Sequence, residues 1–196
     1  MPRIKLAIVC TISIIIGMQG SFFALHAAPA QLYASAVTPL LDAVGGKSIG
    51  ALQPGAPLAV LGQSSTAMHV AVHGWVAQGA NAVVLAAPDR QIVLITGYAG
   101  PAKSGASQTV AGTVYAEVTI DGWAATNALV DNVETVWKTA SDLFAQKCGS
   151  CHALPDPNSL SVNQWPAIMK TQASNAGLDP NETALLTAYL QNHARQ

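Results

Sequence analysis

The cysteines constrain this chain more than any other feature of its sequence. Its 196 residues include only three: Cys10, and the pair Cys148 and Cys151 in the segment KCGSCHAL. A disulfide within the pair would close a loop of two intervening residues and would stabilise little. A thioredoxin-like CxxC begins a helix inside a βαβ unit, and a structural zinc site needs a second pair of ligands. The sequence around Cys148 and Cys151 offers neither context.

His152 directly follows the second cysteine and completes a CxxCH motif. This motif is the signature of covalent haem c attachment. The two thiols form thioethers with the porphyrin, and the adjacent histidine becomes the proximal ligand of the iron. The sequence therefore predicts that Cys148, Cys151 and His152 bind one haem c.

The segment after the motif contains one candidate for the second axial ligand. Met169 is the only methionine there, and no histidine occurs before His193. A thioether is a soft ligand that raises the reduction potential of haem iron relative to a second nitrogen. The alternative is that Met169 only fills space against the porphyrin. We predict that Met169 binds the iron, that Trp165 packs on the haem or the helices, and that His193 complements a helix dipole.

Two helices are predicted to flank the haem motif. The first is capped by Asp131, with Glu134 completing a capping box, and the second is capped by Asp179, with Glu182 in the same role. An apolar stripe at helical spacing runs along one face of the first helix and consists of Val133, Val136, Trp137, Ala140 and Phe144. Such a pair of helices frames small class I-like cytochromes c. Residues 128–196 are therefore predicted to form a small all-α monohaem cytochrome c domain.

The region before this domain, residues 31–127, consists of short apolar runs separated by Gly, Pro and Ser, a pattern typical of β-strands. The segment VAVHGWVA at 70–77 is echoed by VTIDGWAA at 118–125. Each copy predicts a strand, a tight turn with glycine, and a core tryptophan, Trp75 or Trp123. This pattern is similar to the bacterial SH3-like barrels and predicts two repeats. The expected fold class is α+β in two parts, an all-β SH3-like region followed by the small all-α cytochrome c domain.

The first 27 residues have the pattern of an export signal. Arg3 and Lys5 precede an apolar run, and small residues up to Ala27 provide a cleavage site. The stretch 6–25 is also long enough to remain as a membrane-spanning anchor. Both alternatives place the rest of the chain in the periplasm, either free or anchored to the inner membrane.

The charge and the motifs exclude several classes of function. Only 10% of the residues are charged and the formal net charge is -1, so nothing indicates a nucleic-acid partner. No arrangement of nucleophile, base or metal ligands supports catalysis. We therefore expect an electron-transfer protein and not an enzyme.

Four motifs follow one another in a fixed order along the chain. They are CGSCH at Cys148–His152, NQW at Asn163–Trp165, the pair Met169–Lys170, and YLQNH at Tyr189–His193. Together with the GW segment, this order resembles the C-terminal part of the pentahaem c-type cytochromes of trimethylamine N-oxide reductase systems. The resemblance covers residues 31–196. It implies a carrier that passes electrons to a periplasmic molybdenum reductase. This sequence has one CxxCH rather than five, so it lacks a counterpart of the family's tetrahaem domain and direct quinol oxidation is not expected.

Three hypotheses about function remain open from the sequence. The leading one is a periplasmic monohaem cytochrome that exchanges electrons with a redox protein, foremost a molybdenum oxide reductase. The second is a haem c subunit of a membrane-bound dehydrogenase or respiratory complex, with membrane association through residues 6–25. The third is a haem-based sensor or binding module that passes no electrons onward.

Overall fold

The core of the protein lies within one antiparallel sheet, against which three helices pack. The computed structural model describes residues 31–80 and 82–195, which contain ten strands followed by three α-helices. Strands β1 to β10 are Gln31–Ala34, Thr38–Leu41, Ser48–Leu52, Pro57–Gln63, Ala67–Ala77, Val83–Ala87, Arg90–Thr96, Lys103–Val110, Thr113–Ala125 and Leu129–Val130. Helices α1 to α3 are Val133–Cys148, Trp165–Gln172 and Pro180–Asn192.

Six of the strands form a closed ring in the order β5, β6, β7, β3, β2 and β9, because β9 also pairs with β5. The β5–β9 ladder runs from Ala67 opposite Ala125 to Ala77 opposite Tyr115. Side chains alternate between the two faces of a strand, so every second residue of these strands points into the ring. The fully buried side chains inside it include Leu40, Leu52, Val70, Val72, Val84, Ile95 and Ile120.

Four strands extend the sheet beyond the ring. Strands β4, β1 and β10 follow one another outward from β5, and β8 is added to the outer side of β9. Strand β8 is an edge strand that is exposed on both faces along almost its whole length. Its register with β9 shifts between Ser104 and Ser107, so the ladder is interrupted there.

The two Gly-Trp pairs lie inside long strands and not at turns. A Cβ atom on Gly74 would come within 2.6 Å of Val84 Cγ1, and one on Gly122 would be equally crowded by the neighbouring strand. Glycine at these positions therefore lets adjacent strands approach closely. Trp75 and Trp123 are half-buried and do not belong to the core, because the buried positions alternate with theirs. The prediction that these tryptophans are core residues is wrong.

The helices do not form a separate all-α domain, and the predicted fold class is wrong in this respect. Ile92 of β7 packs against the helical cluster of Phe144, Val162, Trp165, Met169, Leu186, Leu190 and Ala194. Val130 of β10 packs against a second cluster of Val136, Trp137 and Ala188. Three short helices bury little apolar surface among themselves, so the sheet completes their core. The predicted boundaries at 31–127 and 128–196, and the SH3-like repeats, stay predictions.

The helix caps match the sequence expectation at α3 but not at α1. The Asp179 side chain accepts a hydrogen bond from Glu182 N at 2.8 Å, and the Glu182 side chain accepts one from Asp179 N at 3.0 Å. At α1 the cap is Asn132, whose side chain accepts from Glu134 N at 2.9 Å. Asp131, the predicted cap, lies one residue too early to reach the first helical turn.

The predicted leader, residues 1–27, lies outside the residues that the structure describes. Within residues 31–80 and 82–195, no helix has both the length and the apolar character that crossing a membrane requires.

Candidate haem site

One cavity collects all four residues that the sequence assigned to haem. It has a volume of about 410 Å³ and lies between the end of α1, the loop that follows, α2 and α3. Cys148, Cys151, His152 and Met169 line it, with Phe144, Trp165, Ile168 and Leu190 forming apolar walls. Three separate chain segments therefore converge on one space, and their convergence is a property of the fold that the sequence alone does not display.

The two cysteines are free thiols in different surroundings. Cys148 is the last residue of α1 and is half-buried, whereas Cys151 lies on the exposed loop after it. Burial, and secondarily the neighbouring Cys151, raise the pKa of the Cys148 thiol above its ordinary value. The two sulfurs are not joined in a disulfide, so both are available to form thioethers with the porphyrin vinyl groups.

The imidazole of His152 is held by one nitrogen and free at the other. Its Nδ1 lies 2.8 Å from the carbonyl oxygen of Ala153. A carbonyl can only accept, so Nδ1 carries the proton and Nε2 keeps an unshared electron pair. This is the tautomer that a histidine needs to bind a metal through Nε2.

Met169 lines the same cavity from α2 and is only 4% exposed. Its helix begins at Trp165, whose indole Nε1 donates to the Pro157 carbonyl at 2.9 Å. This bond ties the start of α2 to the loop that follows the CxxCH motif. Trp165 is buried in the helical cluster, in line with the packing role that the sequence indicates. Met169 is positioned to serve as an iron ligand, and this role stays a prediction.

The cavity suits a haem in its donors and in its walls. It offers two thiols, an imidazole nitrogen and a thioether, which are the protein groups of a c-type haem with His/Met ligation. Ile168, which lines the cavity, is 41% exposed, and Leu154, two residues after His152, is 43% exposed. Exposed side chains of this kind cost free energy in water and are covered when an apolar ring lies against them. The residues present therefore fit the group that the motif implies.

An ion pair that the sequence analysis missed braces the cavity. Lys147 Nζ lies 3.2 Å from Glu182 Oε2 and 3.4 Å from the Gly177 carbonyl, joining the end of α1 to the start of α3. The same Glu182 oxygen accepts the capping hydrogen bond from Asp179 N. The sequence showed Glu182 as a capping residue, but its second contact depends on how α1 and α3 pack.

His193 lies away from this cavity. It follows α3, with Nδ1 2.8 Å from the Tyr189 carbonyl, and its ring meets Trp137 edge-on at 5.7 Å between centroids. These contacts account for it without an iron. In residues 31–80 and 82–195, no three His, Cys, Asp or Glu side chains are grouped as ligands for a metal ion.

Comparison with known proteins decides the family. A model described as the TorC third cytochrome c domain matches residues 26–129, more than half of the chain. The chain belongs to this family. A second model, the dihaem cytochrome c, matches residues 144–196 and so includes the CxxCH motif. Both matches are to cytochrome c domains, a class that carries covalently bound haem c.

Individual relatives agree with the family. The chain is 24% identical to the cytochrome c-type protein TorC of Escherichia coli strain K12 over 170 residues, covering 83% of this chain and 44% of the relative. It is 26% identical to the cytochrome c-type protein TorY of Escherichia coli O157:H7 over 152 residues, covering 75% of this chain and 41% of that protein. The chain thus spans less than half the length of these curated relatives. No solved structure matches it.

These relatives confirm the resemblance that the sequence motifs indicate. They are cytochrome c-type proteins, a class that transfers electrons through its haem. The expectation that the chain is not an enzyme is therefore also confirmed.

Proposed function

We propose that this chain is a monohaem c-type cytochrome of the periplasm that transfers electrons to or from a protein partner. The observation that carries the proposal is the convergence of Cys148, Cys151, His152 and Met169 on one cavity. If Met169 only filled space, or if Cys148 and Cys151 were only a thiol pair, there would be no reason for the free imidazole nitrogen of His152 to face the same cavity.

Each residue has a distinct role in this proposal. Cys148 and Cys151 would hold the porphyrin covalently, and His152 and Met169 would be the axial ligands. When bound, the haem supplies a one-electron couple between ferric and ferrous iron. The Ala153 carbonyl orients the His152 ring, and Phe144 and Leu190 supply apolar walls of the cavity. Low polarity and a thioether ligand both favour the ferrous form, which raises the potential.

The number of haems follows from the cysteines. The chain has three, and only Cys148 and Cys151 are paired in a CxxCH. Residues 26–129, matched by a cytochrome c family model, contain no cysteine. We therefore assign one haem to the chain, and we assign residues 26–129 a supporting role through the sheet on which the helices pack.

The partner proposed first is a periplasmic molybdenum oxide reductase. The motif order shared with cytochromes of trimethylamine N-oxide reductase systems supports this choice, as does the similarity to TorC and TorY. The basic and apolar start of the sequence supports export to the periplasm.

The haem assignment is tested by counting haems. The full chain is produced with a cytochrome c maturation system, and its haem content is measured from the intact mass and from the pyridine haemochrome spectrum. We expect one covalent haem, its loss when Cys148 and Cys151 are both replaced by serine, and its retention in the control Cys10→Ser. Two haems, or none in the unsubstituted chain, would contradict the proposal. Fractionation of the producing cells tests the location, and haem protein confined to the cytoplasm would contradict export.

The direction of transfer is tested with the reduced protein in an anaerobic periplasmic extract of its source. The haem absorbance is followed after adding an N-oxide or an S-oxide. Rapid reoxidation only with the oxide supports a donor to a reductase. No response to either oxide, together with reduction of the ferric protein by an added alcohol or aldehyde, would instead make the chain the acceptor of a dehydrogenase.

A further inference from the structure

The backbone of one strand residue, Gln91, is held on both sides by side chains of the helical part of the chain. Gln91 N donates to Asn163 Oδ1 at 2.7 Å, and Asn163 Nδ2 donates to the Asp89 carbonyl at 2.8 Å. On the other side, Gln191 Nε2 donates to the Gln91 carbonyl at 2.9 Å and to the Val162 carbonyl at 3.1 Å. We call these four hydrogen bonds the Gln91 clamp.

The clamp is built of long-range contacts, of which those of Gln191 are desolvated and those of Asn163 lie at the surface. Gln191 is 2% exposed, one of two buried polar side chains among the described residues. Burying an amide is favourable only when its hydrogen bonds are made, so the geometry of such a group is strictly held. The clamp fixes residues far apart in sequence, since Gln191 and Gln91 are separated by 100 positions.

Helix α2 needs such an external hold. It has eight residues, and no side chain caps its start. A helix this short does not persist by its own hydrogen bonds, so its place depends on tertiary contacts. Asn163 lies two residues before the first residue of α2, Trp165, and Met169 lies on the second turn of the same helix. A movement at Asn163 therefore carries Met169 with it.

We propose that Asn163 and Gln191 are positioning residues that fix where α2 presents the Met169 sulfur to the iron. This inference rests on the proposed function, because it takes Met169 as an axial ligand. The sheet thereby takes part in setting the haem potential, although none of its strands lines the haem cavity. Neither Asn163 nor Gln191 lines it either.

The test compares Asn163→Ala with Asn132→Ala in the haem-loaded full chain. Both substitutions remove an asparagine that accepts a hydrogen bond from a backbone N–H, but Asn132 caps α1 at the end remote from the CxxCH motif. The measurements are the melting temperature, the reduction potential, and the weak near-infrared absorption band of ferric haem with a sulfur ligand. We expect both variants to melt earlier, and only Asn163→Ala to lose intensity in the band and to have a lower potential.

A third variant guards against a general loss of folding. Asn163→Asp keeps an acceptor for Gln91 N and loses the donor to the Asp89 carbonyl, so we expect it to retain more of the band than Asn163→Ala. A band and a potential that stay at the unsubstituted values in Asn163→Ala would overturn this inference alone. A band absent from the unsubstituted protein would overturn the assignment of Met169 as a ligand, and this inference with it.

Discussion

Val72 of β5 lies directly opposite Ile120 of β9, the residue at the equivalent position of the second GW segment. Both side chains are fully buried inside the ring of strands. In the same register, each GW glycine lies opposite the first residue of the other GW segment: Gly74 pairs with Val118, and Gly122 pairs with Val70. The ladder is therefore locally symmetric about the Val72–Ile120 pair, and the two glycines occupy matching crowded positions beside it.

Alanine at the crowded glycine should destabilise the sheet. In Gly74→Ala, the new methyl group would lie 2.6 Å from Val84 Cγ1 and 2.7 Å from the Leu85 carbonyl oxygen. Overpacking of this kind costs about 1–3 kcal/mol. The matched control is Gly62→Ala in β4, where the nearest atom is His69 Cβ at 3.9 Å. Urea unfolding should show a clear loss for Gly74→Ala and little change for Gly62→Ala, and equal losses would contradict the packing argument.

Tyr98 should make the fold sensitive to alkaline pH. Burial, and secondarily the negative charge of Asp121, raise the pKa of its phenol above the usual 10.0. The hydroxyl donates to the Pro101 carbonyl, a bond that ionisation abolishes. Because the folded pKa is the higher one, this stabilisation is complete below pH 10 and is lost as the pH rises through the folded pKa.

The measurement for Tyr98 is the free energy of unfolding as a function of pH. We expect the unsubstituted protein to lose stability more steeply above pH 10 than Tyr98→Phe, which has no ionisable group there. At neutral pH, Tyr98→Phe should be less stable by about 1 kcal/mol, the typical net value of one hydrogen bond. Parallel curves in the alkaline range would show that Tyr98 is not responsible.

Replacing Met169 should change the haem more than the fold around it. Met169→Ala removes the proposed thioether ligand, so the reduction potential should fall and the low-spin spectrum should be perturbed. Because Met169 is buried, the same change should cost about 2–5 kcal/mol of stability. The control is Thr171→Ala, at an exposed position of the same helix that does not line the cavity, and it should leave the spectrum intact. An unchanged spectrum in Met169→Ala would reject the ligand assignment.

Glu182 should contribute more to stability than its ion-pair partner Lys147. Both side chains are 27% exposed, so the pair itself is expected to contribute only about 0.2–1 kcal/mol. Glu182→Ala also removes the hydrogen bond to Asp179 N that completes the capping box of α3. A double-mutant cycle in thermal unfolding should give a greater loss for Glu182→Ala than for Lys147→Ala. Equal losses would mean that the capping bond contributes no more than the hydrogen bond from Lys147 to the Gly177 carbonyl.

Electron transfer with the partner should depend weakly on salt. Residues 28–196 carry seven Lys and Arg against ten Asp and Glu, a low density of charge for a surface of this size. Long-range steering requires a strong field, and salt screens it within about 10 Å at 0.1 M. Transfer rates measured by stopped flow should therefore change little across ionic strengths, and a steep dependence would show that charge steers the encounter after all.

The sequence was most informative where a single local pattern carries the chemistry. Cys148, Cys151 and His152 lie within five consecutive residues, so it could be predicted without knowledge of the fold that they lie together in the structure. The capping box of α3 was equally local, and its hydrogen bonds form as predicted between Asp179 and Glu182.

The features that the sequence did not predict depend on packing between distant segments. The helical segment reads as a separate domain because its caps and apolar stripe are regular. Nothing local in it shows that Ile92 and Val130, strand residues, complete its core. The GW tryptophans were predicted to be core residues because of their size. In β5, however, Val70 and Val72 lie on the strand face that points into the ring, and Trp75 lies on the other face. The Gln91 clamp also depends on tertiary structure: Asn163 and Gln191 belong to the NQW and YLQNH motifs, but neither motif shows that both side chains reach Gln91.

Strand β8 shows how the protein keeps its longest free edge from polymerising. Such an edge can template the addition of strands from other molecules, which leads to fibres. Between Lys103 and Val110, β8 carries no large apolar side chain before its last residue, so a second sheet would find nothing to interlock with. The bulge after Ser104 also breaks the continuous row of amides that an incoming strand would need. We therefore expect this edge to stay unpaired even at high protein concentration.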